Sequence, residues 1–526
     1  MPGPAHPVPS LAAFRRGLPE EIRVALRLGF TGKTQLLDVA GRCLRAGRDD
    51  LLPTAGAALG KVVSERPLDG GLAGELLSLE AARSLLDPQT AARLRTVADH
   101  WRRPDGPSGV AGFLELMAER DFERIGAFLT RAMKDEPGNL FWREQAVTVG
   151  TVWNDPAFVF RALEGGPDAV AAPLSEALAL ARACFDPPAK PDAETLLLGA
   201  RTAPWDTNLL LRAHDAACGL ADRRAPLDGT VAVLLYSWNK ADELDETLGS
   251  LLASDLAGAS IFVLDNGSTD RTPELLARWR PHFADTLGEG RYTVVSLPVN
   301  IGAAAARNWL LHLDAVRAHD FICYLDDDVE LPADWLPRFG AAVERYPEAG
   351  VWGCKVVDHA NPLLIQSADG HLLLDPAERA DLTRMAPNPF RLSDLHIQTL
   401  DRGDFDYMRP CASVTGCCHL FRTPTLLDSG DFAIQLSPSQ YDDLEHDLRL
   451  CESGRFPVHQ GHLAVRHKKR TGMASHTSPQ QEGNALGNKY KMQTMHDRSG
   501  LAAAMRAEQA LLEADLLAKL DYLDSL

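Results

Sequence analysis

The chain is short of pairable cysteine, of positive charge and of long apolar runs, and each shortage removes a class of protein. Its nine cysteines are an odd number, and none forms a CxxC pair. That pattern excludes a disulfide framework or a zinc ribbon and points to a reducing cytoplasm. The adjacent Cys417 and Cys418 read as two small buried hydrophobes. Lys and Arg number 54 against 72 Asp and Glu, a formal net charge of -18. A chain this acidic is unsuited to broad, non-specific binding of nucleic acid or of an anionic membrane. His467-Lys468-Lys469-Arg470 is a local exception. No stretch is long and apolar enough to span a bilayer. The opening MPGPAHPVPSLAAFRRGLPEE has no apolar core of the signal-peptide type. A substrate at a membrane would therefore be reached from solution. No G-x-S-x-G or Cys–His signature supplies a covalent nucleophile.

What is present suits a large soluble globular protein. The 526 residues are too many for one ordinary core, so two or three domains are expected; 45% are hydrophobic and 24% charged. Residues 1–225 are rich in Ala, Leu and Arg, with apolar residues at helical spacing and few β-branched runs. Gln35–Leu44, Ala81–Leu86, Ala91–Trp101, Phe122–Met133 and Ala172–Cys184 read as helices. Turns containing Pro or Gly separate them, as at Glu65-Arg66-Pro67, Glu136-Pro137-Gly138 and Asp186-Pro187-Pro188. LGKVVSERPLDGGLAGELL and LTRAMKDEPGNLFWREQAV each show helix, Pro turn, helix, and Pro67 and Pro137 lie 70 residues apart. That is about two periods of a 34-residue helical hairpin. The segment resembles degenerate tetratricopeptide repeats, without their Trp, Gly and Tyr markers. A plain helical bundle is the alternative. Helical arrays offer concave surfaces, so this region is expected to position an acceptor.

Ala225-Pro226-Leu227-Asp228-Gly229 opens a second domain, 226–496, in which strands and helices alternate as in an α/β sheet. Strands are expected at Val231–Tyr236, Ser260–Leu264, Tyr292–Leu297 and Phe321–Leu325. Helices are expected at Glu243–Ala253, Thr272–Trp279, Ala303–Leu313 and Trp335–Tyr346. Between Val351 and Thr425 the pattern is irregular. Residues 497–526 contain an amphipathic helix, Leu501–Leu526, expected to pack on its own domain.

The stretch FICYLDDDVELP carries the most chemistry. A short apolar strand ends in Asp326, Asp327 and Asp328, and three such charges demand a counter-charge. Carboxylate oxygens suit Mg²⁺ or Mn²⁺, which commonly bridge a protein to a diphosphate. Open α/β sheets bind ligands beyond the carboxyl ends of their strands, where these residues fall. The other strand ends line up with them. VLLYSWNK places Ser237 and Asn239 after the first strand. IFVLDNGSTD places Asp265, Asn266 and Gly267 after the second. VNIGAAAARN places Asn300, Gly302 and Arg307 at a loop entering a helix. A carboxylate such as Asp265 can accept from a base N–H. Gly267 and Gly302 allow close backbone approach. Arg307 can offset diphosphate charge. Each motif alone is an ordinary turn or helix cap. The ordered set describes a nucleotide site.

With those motifs in place, the region from Gly229 to His496 resembles glycosyltransferase family 2, with the glycosyltransferase-A fold. The resemblance implies a mixed, mostly parallel nucleotide-diphospho-sugar transferase sheet. It implies a nucleotide-sugar donor, a Mn²⁺ or Mg²⁺ cofactor, and transfer to a hydroxyl of a glycan or protein with inversion. By position, Asp265 would bind the base, Asp326 and its neighbour Asp327 the ribose or sugar, and Asp328 the metal on the diphosphate. VTGCCHLFRTPTL, containing Gly416, is similar to the small-residue segment under the acceptor. Tyr441-Asp-Asp-Leu-Glu-His-Asp-Leu-Arg449 is similar to the E-D-x-D-x-x-L-R helix. Asp443 then becomes the catalytic base, flanked on the acceptor side by Asp442 and Glu445. The helix departs from the pattern with Asp442 for Glu and Glu445 for Asp, and Glu445-His446-Asp447 offers another register. His467 falls where a further metal ligand is expected.

Two other readings compete. A non-catalytic scaffold with a degenerate nucleotide-sugar domain is weakened by the presence of Asp328, Asp443 and His467 together. A sugar nucleotidyltransferase would carry a G-x-G-T-R-type loop after the first strand, where this chain has SWNKADE.

Overall fold

The computed structural model describes residues 10–78, 85–106, 109–256, 258–374, 390–438, 440–471, 475 and 478–526. Of the expected helix Ala81–Leu86, residues 81–84 lie outside them. The chain forms two compact units. One holds Leu18–Pro191 with Gln398–Arg402; the other holds Asp192–Ile397, Gly403–Leu526 and the segment up to Gly17.

The first unit is all-helical in its described residues. Acidic and amide side chains start the helices where the sequence puts them. Asp87, Asp121, Asn139 and Asp155 each accept a backbone N–H of the following first turn. Both Pro-turn segments are helical hairpins: Leu52–Glu65 with Gly70–Ser78, and Phe122–Asp135 with Leu140–Val152. The core around the second is aromatic, with Phe113, Phe128 and Phe141 packed edge-on to the buried Trp142. Trp101 Nε1 donates to Glu144 Oε2 at 2.7 Å in this core. Burial pushes the Glu144 carboxyl up to about 7, the Trp101 bond only partly offsetting it. A raised carboxyl favours folding below its unfolded value, and that contribution is lost as pH rises through 7. Glu144→Gln mimics the protonated form. It should match wild type near pH 4.5 and be more stable at pH 8 by on the order of 2 kcal/mol, read from urea midpoints. Equal midpoints at pH 8 would show that Glu144 ionises there without cost.

The second unit is built on one mixed sheet. Its strands are β1 (Val231–Ser237), β2 (Ser260–Asp265), β3 (Tyr292–Ser296), β4 (Phe321–Leu325), β5 (Val329–Glu330), β6 (Trp352–Asp358), β7 (Ile365–Ser367), β10 (Met408–Pro410), β11 (Cys418–Arg422) and β12 (Val458–His467). β8 (Leu372–Leu374) and β9 (Phe390–Leu392) form a separate ribbon. The order across the sheet is β10-β12-β6-β11-β4-β1-β2-β3, with β5 on β12 and β7 on β6. β1, β2, β3, β4, β6 and β12 run one way, and β11 lies antiparallel between β4 and β6. This is the fold class that the sequence implied. The central strands are apolar runs buried on both faces, as a covered sheet requires. The strands and helices expected between Val231 and Tyr346 all appear, most with ends displaced by a few residues. The helix Thr272–Leu287 is longer than expected because it continues through Pro281. The irregular stretch after Val351 contains β6 to β11. β12 has no hydrophobic signature, since VHQGHLAVRH mixes His, Gln and Gly and carries a register shift between Gln460 and Ala464.

The boundary that composition suggests at 225 falls inside this unit. The helix Thr207–Ala217 is bound to the sheet by Asp215, whose Oδ2 accepts Met408 N at 2.7 Å and lies 3.0 Å from His462 Nε2. The last helix, Arg498–Asp524, belongs to the same unit. Asp524 accepts Leu11 N and Ala12 N at 2.8 and 3.0 Å. Glu508 enters the core, bonding His371 Nδ1 at 2.8 Å and Leu372 N at 3.1 Å. His371 meets Asp369 on its other nitrogen at 3.1 Å, and Arg409 and Tyr407 complete the buried network. Glu508→Ala would leave these partners without an acceptor in a dry interior. It should cost about 3–5 kcal/mol in urea unfolding. An unchanged midpoint would mean that the helix lies outside the cooperative core.

Candidate functional site

Because β1, β2, β4, β6 and β12 are parallel, their carboxyl ends reach one edge of the sheet. Ser237 pairs with Asp265 across β1 and β2, and Asp358 with His467 across β6 and β12. Asp326–Asp328 follow β4 directly.

The triple acid has its counter-charges. Lys240 Nζ lies 2.9 Å from both Asp327 Oδ1 and Asp328 Oδ2. His467 Nε2 lies 3.1 Å from Asp328 Oδ1 and 4.0 Å from Asp326 Oδ2. Thr247 Oγ1 ties the turn, donating to main-chain oxygens of Asp327 and Val329 and accepting from Val329 N at 3.1 Å. Burial pushes the Asp327 carboxyl up to about 6 despite Lys240. Burial also opposes charge on Asp328, yet His467 and Lys240 hold it well below the usual carboxylate range. Burial opposes charge on the half-buried Lys240, yet the two aspartates hold it above its ordinary value. His467, buried beside Cys417 and Asp328, is held well above the ordinary histidine range. Its Nδ1 lies 2.7 Å from Gln366 Oε1, which fixes the ring.

One carboxylate oxygen of Asp326, the Cys417 thiol and one nitrogen of His467 lie within 4.8 Å of one another. Asp328 stands against the same histidine. The donors are hard oxygens, an imidazole and a thiol, so this corner can hold a divalent cation.

The expected nucleotide residues divide into two groups. Asn239, Asn266 and Asn300 build the loops. Asn239, at φ +54°, accepts Thr269 N at 2.7 Å. Asn266 donates to Asn300 Oδ1 at 3.0 Å and accepts Ile301 N at 3.0 Å, while Asn300 Oδ1 also accepts Gly302 N at 2.8 Å. Asp265 Oδ1 closes its own turn on Ser268 N at 3.0 Å. Gly267 has φ +75°, and a Cβ there would sit 2.5 Å from the Val299 carbonyl carbon, so only glycine fits. The buried Ser237 hydroxyl makes no geometric hydrogen bond among the described residues and stands beside the Asp327 carboxyl.

Arg307, expected at the diphosphate, is paired with carboxylates. It is buried, donates from Nη1 to Asp442 Oδ2 at 2.6 Å, and stands with Nη2 3.7 Å from Asp326 Oδ1. It lies over the Tyr236 and Phe432 rings at 5.5 and 5.3 Å. Burial opposes its charge, but Asp442 and Asp326 hold it well above its ordinary value. Its small-residue neighbours in AAAARN let the helix Ala303–Leu311 sink against the sheet and carry the guanidinium inward.

The helix Asp442–Glu452, expected beside the acceptor, begins with the three acids. Asp443 Oδ2 accepts Gly416 N at 2.7 Å. A Cβ on Gly416 would lie 2.7 Å from Arg307 Nη2 and 3.0 Å from Asp443 Oδ2, so the glycine lets the two approach. Glu445 turns away to Arg449 at 3.0 Å. Asp447, the other register, is fully buried on Val414 N at 2.8 Å, where burial pushes it well above the carboxylate range. Asp443 is the half-buried acid of this turn and accepts Gly416 N, whereas Asp442 is the one paired with Arg307. Sequence reading missed Lys240, Thr247, Gln366 and Cys417. Only Lys240 had a signal, the unmet charge of three aspartates.

Residues 232–422 match the family Glycosyl transferase family 2. Succinoglycan biosynthesis protein ExoO of Rhizobium meliloti (strain 1021) is 28% identical over 182 residues, 34% of this chain and 46% of the relative. The chain thus spans less than half the length of that relative. Among solved structures, GalNAc-T7 with UDP, GalNAc and Mn²⁺ aligns at TM-score 0.37 and 14% identity, over 50% of this chain and 48% of that one. The mannosyltransferase PcManGT from Pyrobaculum calidifontis, in complex with GDP-Man and Mn²⁺, aligns at TM-score 0.32 and 17% identity, over 64% and 92%. Among the described residues, no helix is long and apolar enough to cross a membrane.

Proposed function

From the match of residues 232–422 to glycosyl transferase family 2, we propose that the protein moves a sugar from a nucleotide diphosphate to a hydroxyl of a glycan or a protein, with inversion. The observation that carries the reading is the placement of Arg307, which stands between Asp326 at the strand end and Asp442 beside Asp443. One buried cation thus fixes the spacing between the donor corner and the acceptor helix.

In this reading Asp443 takes the proton of the acceptor hydroxyl. The hydroxyl oxygen attacks the anomeric carbon while the diphosphate departs on the opposite face, so one displacement inverts the centre. Ser237 and the Asp265 turn hold the nucleoside. Asp326, Asp328 and His467 would hold Mn²⁺ or Mg²⁺, which neutralises charge on the diphosphate when bound. Lys240 offsets the remaining charge of Asp327 and Asp328.

A thermal-shift panel of UDP, dTDP, GDP and CMP, each with and without Mn²⁺, tests the donor side. One nucleotide should stabilise the protein only with Mn²⁺, by about 2.7 kcal/mol at a hundredfold excess over Kd. Asp328→Ala should abolish the effect. Absence of any shift across the panel would sink the nucleotide-sugar reading.

A further inference from the structure

We propose that Cys417 is a ligand of the divalent cation at the strand-end corner and tilts that site toward softer metals. The inference rests on the reading of the Asp326–His467 corner as a metal site and adds to it a sulfur donor. Three observations carry it. Cys417 Sγ, an Asp326 oxygen and a His467 nitrogen share a space no wider than 4.8 Å, with the thiol buried. Metal bonds of about 2.0–2.3 Å leave ligand atoms roughly 3–4.5 Å apart, so the three close on a cation with little movement. His467 Nδ1 is engaged by Gln366 Oε1 at 2.7 Å, an acceptor that fixes a proton on that nitrogen and directs Nε2 into the corner. Thr415 Oγ1 points its hydroxyl at Cys417 Sγ at 3.5 Å, a donor suited to a sulfur that carries negative charge.

Chain position explains how the sulfur arrives. Asp326 N donates to Cys417 O at 2.9 Å, so the residue leading into β11 runs directly against the start of the acidic turn. Cys417 precedes β11 and His467 ends β12. A thiol that binds a cation gives its proton to solvent, and the resulting thiolate favours borderline and soft ions over Mg²⁺.

The test uses Co²⁺ as the probe on the full-length protein, with Cys417→Ser as the near-isosteric variant and matched melting curves confirming its fold. Wild type titrated with Co²⁺, alone and with UDP or GDP, should show a sulfur-to-cobalt charge-transfer band in the near ultraviolet beside the visible ligand-field bands. Cys417→Ser should keep the ligand-field bands and lose the charge-transfer band. In competition, Cd²⁺ should displace Mn²⁺ at least tenfold less well from the variant than from wild type. Ligand-field bands in wild type without the sulfur band would overturn the proposal and leave the metal reading intact. If no Co²⁺ spectrum forms under any condition, both fall, whereas nucleotide stabilisation without metal would still preserve the donor site.

Discussion

Asp443→Asn should leave a folded protein that binds nucleotide as wild type does, yet transfers sugar about 10²–10⁴-fold more slowly. The amide keeps one oxygen, which can accept Gly416 N and hold the 2.7 Å bond, while the bond from Leu444 N to the other oxygen is lost. What is lost is the ability to take a proton. Glu445 cannot substitute because it is committed to Arg449, nor can Asp447, which is buried on Val414 N. Initial rates of sugar transfer, set against nucleotide affinity from the thermal-shift panel, separate the two effects. Undiminished transfer would remove Asp443 as the base. Loss of nucleotide binding in parallel would mean that the residue shapes the donor site instead.

Arg307→Met should be the most destabilising substitution in the site, by about 3–5 kcal/mol. The guanidinium is buried, and its removal strands Asp442 without a partner in the interior. The arginine also covers Tyr236 and Phe432, and methionine replaces only part of that packing. The double variant Arg307→Met/Asp442→Leu removes both charges and should regain most of the stability, because an apolar pair has no desolvation to offset. Urea midpoints of the two singles and the double decide it. Transfer should remain low in the recovered double variant if the arginine sets the distance between donor corner and acceptor helix. Full activity there would reduce the pair to a stability element.

Much of this was legible from the residues. Apolar runs of the length of FICYL specify buried strands whatever surrounds them, and Asp87, Asp121 and Asn139 mark helix starts through bonds made within one turn. The acidic turn, the DNGST turn and the acid-rich helix start could be found because each is a contiguous string of residues with a chemical property. β12 could not, since its polar sequence becomes a strand only by pairing with β6. The last helix was readable as amphipathic. That Glu508 would reach His371 depends on a partner 137 residues away.

By itself the sequence determined the first four strands, most of the helices and which of those strand ends carry acids, since those properties are local. The tertiary structure decided what each charged group faces. Arg307 is 135 residues from Asp442, Lys240 is 87 from Asp327, and Cys417 meets His467 only because β11 and β12 flank β6. An arginine after a small-residue run reads equally well as a phosphate ligand or a buried strut. The carboxylate it meets, Asp442, starts a helix 135 residues away, and nothing local announces that meeting.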